Sequence, residues 1–262
     1  MKIYKLIGWY LLVALFSVLF WADINNWLNY SVKFDYGSYH VASVVYFVFL
    51  LSVLVIGFAL FEKRWQAIIA SGIITILYLV FFGLTLINLI GVALLIALTN
   101  YSQMRAREES TQKTKINSRA IISGSLTSII LPMFIMVSFA AYQSPAVQSL
   151  EKMTKIPSAG ENVIKATVSK FVGENNISPS QKNAVTNTVT GEVMNQINSA
   201  VGPYLKYSPP IIAFALFLIL WGFSWVFMWL SIFLGMLMFM ILISTKFIKV
   251  ETKDIKAEVI EI

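Results

Sequence analysis

Apolar residues fall along this chain in long unbroken runs, not in alternation. Leu6 to Ala22 is the first run and Val41 to Phe61 the second. Inside a bilayer every backbone N–H and C=O must find a partner within the structure, so only helices and closed barrels span it. Continuous runs of about 20 apolar residues select helices. The next run, 66–99, is 34 residues long. That is too long for one comfortable span and just enough for two. The "FFGLT" step supplies a break at Gly83, so we expect a tight helical pair there. A fifth helix is predicted over Arg119 to Tyr142. A second run of 34 residues, 211–244, is expected to bend near "WGFSW" into two more helices.

A polar insert, 143–209, separates the fifth and sixth of these spans, and it carries its own helix signals. Ser158 and Glu161 stand at capping-box spacing, with Gly173 as a stop. Ser178, Pro179 and Gln181 repeat that start, and Gly202-Pro203 ends the second helix. Ile164, Val168 and Phe171 form a short stripe on the first helix. Val185, Val189, Val193, Ile197 and Val201 recur every four residues on the second. Two such helices bury little surface alone, so the stripe Val185, Val189, Val193 and Ile197 is the candidate interaction face.

The expected fold class is therefore an all-α integral membrane protein with about seven transmembrane helices. An extramembrane helical hairpin is inserted between helices five and six. The segments are an N-terminal membrane domain (1–142), the hairpin (143–209), a C-terminal membrane hairpin (210–249) and a charged tail (250–262). Phe20 and Trp21 sit where a signal peptidase needs small residues, so the first helix reads as uncleaved.

Charge refines the picture. The net charge is +7, yet only 13% of residues are charged and 58% are hydrophobic. The basic residues gather in short connections, the densest being 101–119 with five Lys or Arg. They read as topology signals and contacts to anionic lipid, not as a nucleic-acid surface. Seven crossings with the N-terminus inside put the tail outside, on the insert's side. The implied location is a plasma membrane or a bacterial inner membrane.

One hydroxyl-rich stretch raises the functional question. "AIISGSLTSIILP" places Ser123, Ser125, Thr127 and Ser128 within a membrane-length segment. Ala120, Gly124, Ser128 and Pro132 are four apart and share one face. A ridge of small residues lets a neighbouring helix come close, which is how helices associate in lipid. Packing accounts for the spacing, the size and the hydroxyls together. A conduit for a polar solute accounts for the hydroxyls alone.

The remaining chemistry is mostly exclusion. Apart from Arg119, at the very start of the fifth helix, no Asp, Glu, Lys, Arg or His lies inside the predicted spans, where such residues mark proton relays and ion paths. His40 is the only histidine and cysteine is absent, so histidine or thiolate metal sites have no ligand set. No metal, cofactor or catalytic residue is assigned. His40, Trp221, Trp225 and Trp229 read as interface residues, and Met228, Met236, Met238 and Met240 as apolar filling. The expectation is a non-enzymatic scaffold or interaction subunit. Its partners would be the bilayer and a protein, either another subunit or a second copy, reached through the hairpin. The alternative is an uncoupled channel or facilitator for a small polar or neutral solute.

Overall fold

The computed structural model describes residues 3–30, 41–61, 63–111, 118–151, 158–173, 179–245 and 247. Among them the elements are helices throughout: α1 (Ile3–Tyr30), α2 (Val41–Leu60), α3 (Arg64–Phe82), α4 (Leu86–Thr111), α5 (Ser118–Gln143), α6 (Pro145–Glu151), α7 (Ser158–Gly173) and α8 (Pro179–Val201). A 3₁₀ turn (Gly202–Tyr207), α9 (Ser208–Gly222) and α10 (Ser224–Ser244) follow. Six helices, α1 to α5 and α10, are long and apolar enough to cross a membrane. This is a multi-pass membrane architecture.

The chain divides into two compact units. The first comprises Met1–Trp27, Tyr39–Ala140 and Leu216–Ile262. The second comprises Leu28–Ser38 and Ala141–Ala215.

In the first unit α2 is the hub. Of the residues from Phe47 to Phe58, all but Phe49 are buried, and an all-round apolar helix suits that position. Four helices touch it. From α1, the Trp9 indole donates to the Val53 carbonyl at 2.9 Å, and Phe16 stacks on Phe49 with ring centres 5.1 Å apart. From α10, the Ser231 carbonyl accepts a bond from the Ser52 hydroxyl at 3.1 Å. Phe134 of α5 meets Phe47, and α4 packs alongside.

The break between α3 and α4 falls at Gly83, as the sequence indicates, and its φ of 80° suits a residue without a Cβ. Thr85 then accepts the Asn88 N–H at 3.3 Å, which makes it the N-cap of α4. The break in the last apolar run is also present, because α9 stops at Gly222 and α10 starts at Ser224.

Several helices outrun their apolar segments. The first continues from Ala22 to Tyr30. The expected basic loop 101–119 is largely helical too, with α4 reaching Thr111 and α5 starting at Ser118. Ala, Arg, Glu and Gln are strong helix formers, so hydropathy understates where a helix ends. Arg105 supports this turn by donating to the Tyr101 hydroxyl at 3.0 Å, one helical turn back. The short α6 was not expected. Ser144 caps it by accepting the Val147 N–H, and Pro145 takes its first position.

The charged tail, 250–262, lies outside the described residues, but the end of α10 that leads to it does not. At 1.5 Å per residue the 15 residues of α9 rise about 22 Å, short of the roughly 30 Å hydrocarbon core. The helix that does have spanning length, α10, runs from the Phe47 end of α2 toward the Gly57 end. Phe227 packs on Phe47, and the Lys5 ammonium donates to the Phe247 carbonyl at 2.6 Å. The start of α1 and the end of α10 therefore lie at one end of the unit, not at opposite ends. The chain has no cysteine, so single-cysteine variants test this cleanly. Ile3→Cys and Thr245→Cys should react with an impermeant maleimide from the same side of sealed vesicles. Leu84→Cys, in the α3–α4 turn, should react only from the other. Opposite-side labelling of positions 3 and 245 would refute the arrangement.

Candidate functional site

Two regions carry the candidate residues, α5 in the first unit and α8 in the second. On α5 the close approach expected of Gly124 is not made there. A Cβ built at Gly124 meets no heavy atom within 4 Å. Ser128 is half-buried and Pro132 is buried. Ala120 lies in the first turn of α5, and its side chain is outside the described set.

The ridge actually used is rotated by one residue. Ser125 is fully buried and pairs with Ser102 of α4. The Ser102 hydroxyl donates to the Ser125 carbonyl at 2.7 Å, and the Ser125 hydroxyl to the Ser102 carbonyl at 3.3 Å. This reciprocal clasp needs two short side chains and two backbones brought together. Further along the same interface Gly91 of α4 faces Met136, where an added Cβ would stand 3.0 Å from Cγ. The other hydroxyls of α5 do different work. Ser138 bonds back to the Phe134 carbonyl at 2.8 Å. The Thr127 hydroxyl reaches Met228 Sδ of α10 at 3.5 Å.

The small residues that bring α10 in are Ser231 and Gly235, the buried pair on that helix. They are four apart, the spacing that lets membrane helices approach. Ser231 meets Ser52 of α2, and Gly235 meets Ile122 of α5 with an added Cβ 3.3 Å from Cδ1. In the sequence this pair is the "SIFLG" step of the last apolar run. Its signal was legible, but its hydroxyl content is lower than that of α5.

A polar node sits where α3, α4 and α5 meet. The buried Tyr78 hydroxyl donates to Asn88 Oδ1 at 2.6 Å and lies 3.1 Å from the Met136 carbonyl oxygen. The Asn88 amide then donates to the Phe82 and Gly83 carbonyls at 3.1 and 2.9 Å. Those carbonyls end α3 and have no helical partner of their own. One buried asparagine thus closes the α3–α4 turn and ties it to α5. Near the other end of α3, the Gln103 amide on α4 donates to the Phe61 and Lys63 carbonyls at 3.3 and 3.0 Å.

In the second unit α7 and α8 pack together, and the buried residues of α8 are Thr186, Thr190 and Met194. This row is one residue round from the valine stripe. Val193 and Ile197 are half-buried, while Val185 and Val189 stay 40% and 39% exposed. On α7, Ile164 and Val168 are half-buried, but Val163 and Phe171 are 62% and 71% exposed. Pairing therefore leaves apolar side chains uncovered on both helices. Ser178, read as the cap of α8, lies outside the described residues.

Chemically, the buried polar side chains of the first unit are, among the described residues, hydroxyls and amides. They bond mainly to helix backbones, which is the chemistry of helix association. A cavity of about 80 Å³ beside α5 is lined by Phe20, Phe47, Phe134, Phe227 and other apolar residues, with Ser43 the polar member. Ser43 donates to the Asp23 carboxylate near that end of α1.

The packing makes two opposed forecasts. A Cβ on Gly57 would fall inside the Trp9 indole, so Gly57→Ala should lower the detergent unfolding midpoint markedly. Gly124→Ala has open space and gains helix propensity of about 0.5–1 kcal/mol, so it should be neutral or stabilising. Asn88→Leu should cost about 1–3 kcal/mol, because it strands a buried phenol and two carbonyls. Thermal unfolding followed by circular dichroism orders all three. Equal behaviour of the two glycine variants would overturn the assignment.

The chain matches no protein-family model, no curated protein and no solved structure.

Proposed function

We propose that this is a non-enzymatic membrane scaffold or interaction subunit, with the α7–α8 pair as its contact surface for another protein. One observation carries the reading. After α7 and α8 have packed, Val185 and Val189 on one helix and Val163 and Phe171 on the other remain exposed. Apolar groups left uncovered on paired helices outside the spans favour a partner surface. The insert mixes six Lys with four Glu, so attraction to anionic lipid alone is a weak reason for it.

The membrane unit fits a supporting role. Its buried hydroxyls and amides join helices to one another, and the reading needs no group that carries charge across the bilayer. Its basic connections gather at one end. Lys5 stands at the start of α1, Lys63 and Arg64 at the start of α3, and Arg105, Arg107 and Arg119 flank the α4–α5 connection. By the positive-inside rule that end faces the cytoplasm. On this reading the chain crosses six times, α9 not being a span of its own, so the start of α1 and the end of α10 share that side and the chain between α5 and α9 emerges on the other.

A photo-reactive residue at Val185 or Val189 should capture a discrete protein neighbour in native membranes. Val185→Asn with Val189→Asn should abolish capture from a probe at Val163, with membrane insertion unchanged. If no neighbour is captured, and vesicles holding the pure protein pass a neutral solute, the facilitator reading replaces this one.

A further inference from the structure

At the basic end of the membrane unit, α1, α2 and α10 enclose a groove of about 490 Å³. That volume is within the range of ligand sites, roughly 300–1,000 Å³. Apart from Lys5 and the Tyr4 hydroxyl, its walls are apolar: Trp9 and Leu12 from α1, Ile56 and Leu60 from α2, Met238 and Leu242 from α10. On α1 it extends from Tyr4 to Leu12, about 12 Å at 1.5 Å per residue. One leaflet of hydrocarbon is about 15 Å deep. The groove therefore begins at the level of the basic helix ends and runs inward about as far as one acyl chain's leaflet.

Two residues shape it. Gly8 opens onto the groove, since a Cβ built there meets nothing within 4 Å. Each added carbon would occupy the space a ligand would use. Lys5 stands at the mouth. Its ammonium donates to the Phe247 carbonyl at 2.6 Å and lies 4.1 Å from the centre of that ring. An ammonium has three N–H groups, so the bond to Phe247 anchors it at the mouth and leaves donors for an anionic oxygen. Lys63 and Arg64 stand at the same end, one helix connection away from Leu60.

We infer that this groove is a binding site for one anionic phospholipid of the basic-side leaflet. An acyl chain lies along Gly8 between α1, α2 and α10, and the headgroup phosphate is held by Lys5. Ordinary lipid contact would fill an apolar cleft without regard to headgroup. A cation fixed at its rim by the backbone beyond α10 makes the headgroup matter. Occupancy would also tie α1 to the end of α10, which are otherwise joined there through the Lys5–Phe247 contact.

Native mass spectrometry of the full chain, titrated with phosphatidylglycerol or phosphatidylcholine of identical acyl chains, tests the site. One phosphatidylglycerol should be retained in preference to phosphatidylcholine. Lys5→Gln should cut that preference about fivefold, the worth of one lysine at an anionic surface, and Lys5→Arg should keep it. Gly8→Phe should reduce retention of both lipids while leaving the unfolding midpoint of the lipid-free protein intact. Lys165→Gln, the same charge loss on α7, should change nothing. Equal retention of the two lipids, a preference that survives Lys5→Gln, or an equal effect from Lys165→Gln would each overturn the assignment.

Discussion

Four helices of the membrane unit pack on α2, and apart from Ser43, Tyr46 and Ser52 its side chains are apolar all round. That constraint shapes the rest. So apolar a helix in an apolar medium gains little from burial as such, because lipid is as apolar as leucine. Neighbours must instead be held by close fit or by bonds to its backbone. Both devices appear at Gly57. Removing the side chain exposes the turn around the Val53 carbonyl, four residues earlier. The Trp9 indole settles into that gap and donates to that carbonyl. A hydrogen bond from outside the helix is possible there because the glycine has cleared the way.

The same logic recurs at three other polar contacts of the unit. Ser52 reaches the Ser231 carbonyl, and Ser102 and Ser125 exchange bonds with each other's backbones. Asn88 replaces the missing helical partners of two carbonyls. In each case a small or short polar side chain meets a main-chain oxygen. Such bonds contribute about 0.6 kcal/mol each on average, so no single one holds the bundle. Their value is positional. They fix which faces meet, where dispersion alone would accept many rotations.

This explains what was legible in the sequence and what was not. The class, the Gly83 break, the break near Phe223 and the bounds of α7 all follow from local rules of length, glycine and capping. Helix ends beyond the apolar runs were understated because hydropathy reports the bilayer, not the helix. The packing ridge of α5 runs through Ser125, one residue round from Gly124. Ala120, Gly124 and Ser128 satisfy the small-residue spacing as well as Ser231 and Gly235 do, and the choice depends on partners distant in sequence. The valine stripe of α8 is visible in the sequence, but the row that is buried is the neighbouring one, Thr186, Thr190 and Met194. A hairpin that buried its valines would have had little left to offer. Burial of threonines and a methionine leaves Val185 and Val189 outward.

The two sets of exposed apolar residues need different readings, and the difference lies in the solvent. On α10, Trp225, Trp229 and Phe233 are well exposed, yet they belong to a helix of spanning length, where lipid covers them. Their exposure therefore carries no information about a partner. The helices α7 and α8 are not long and apolar enough to cross a membrane, and on the proposed extramembrane placement their exposed Val163, Phe171, Val185 and Val189 would face water, where apolar area is costly. Only there does exposure argue for a missing neighbour. At the membrane boundary the informative feature is the reverse, a charge held in place beside an apolar surface. Lys5 qualifies because the end of α10 and an apolar groove meet at its ammonium, a setting that fits a ligand with one charged end and one oily one.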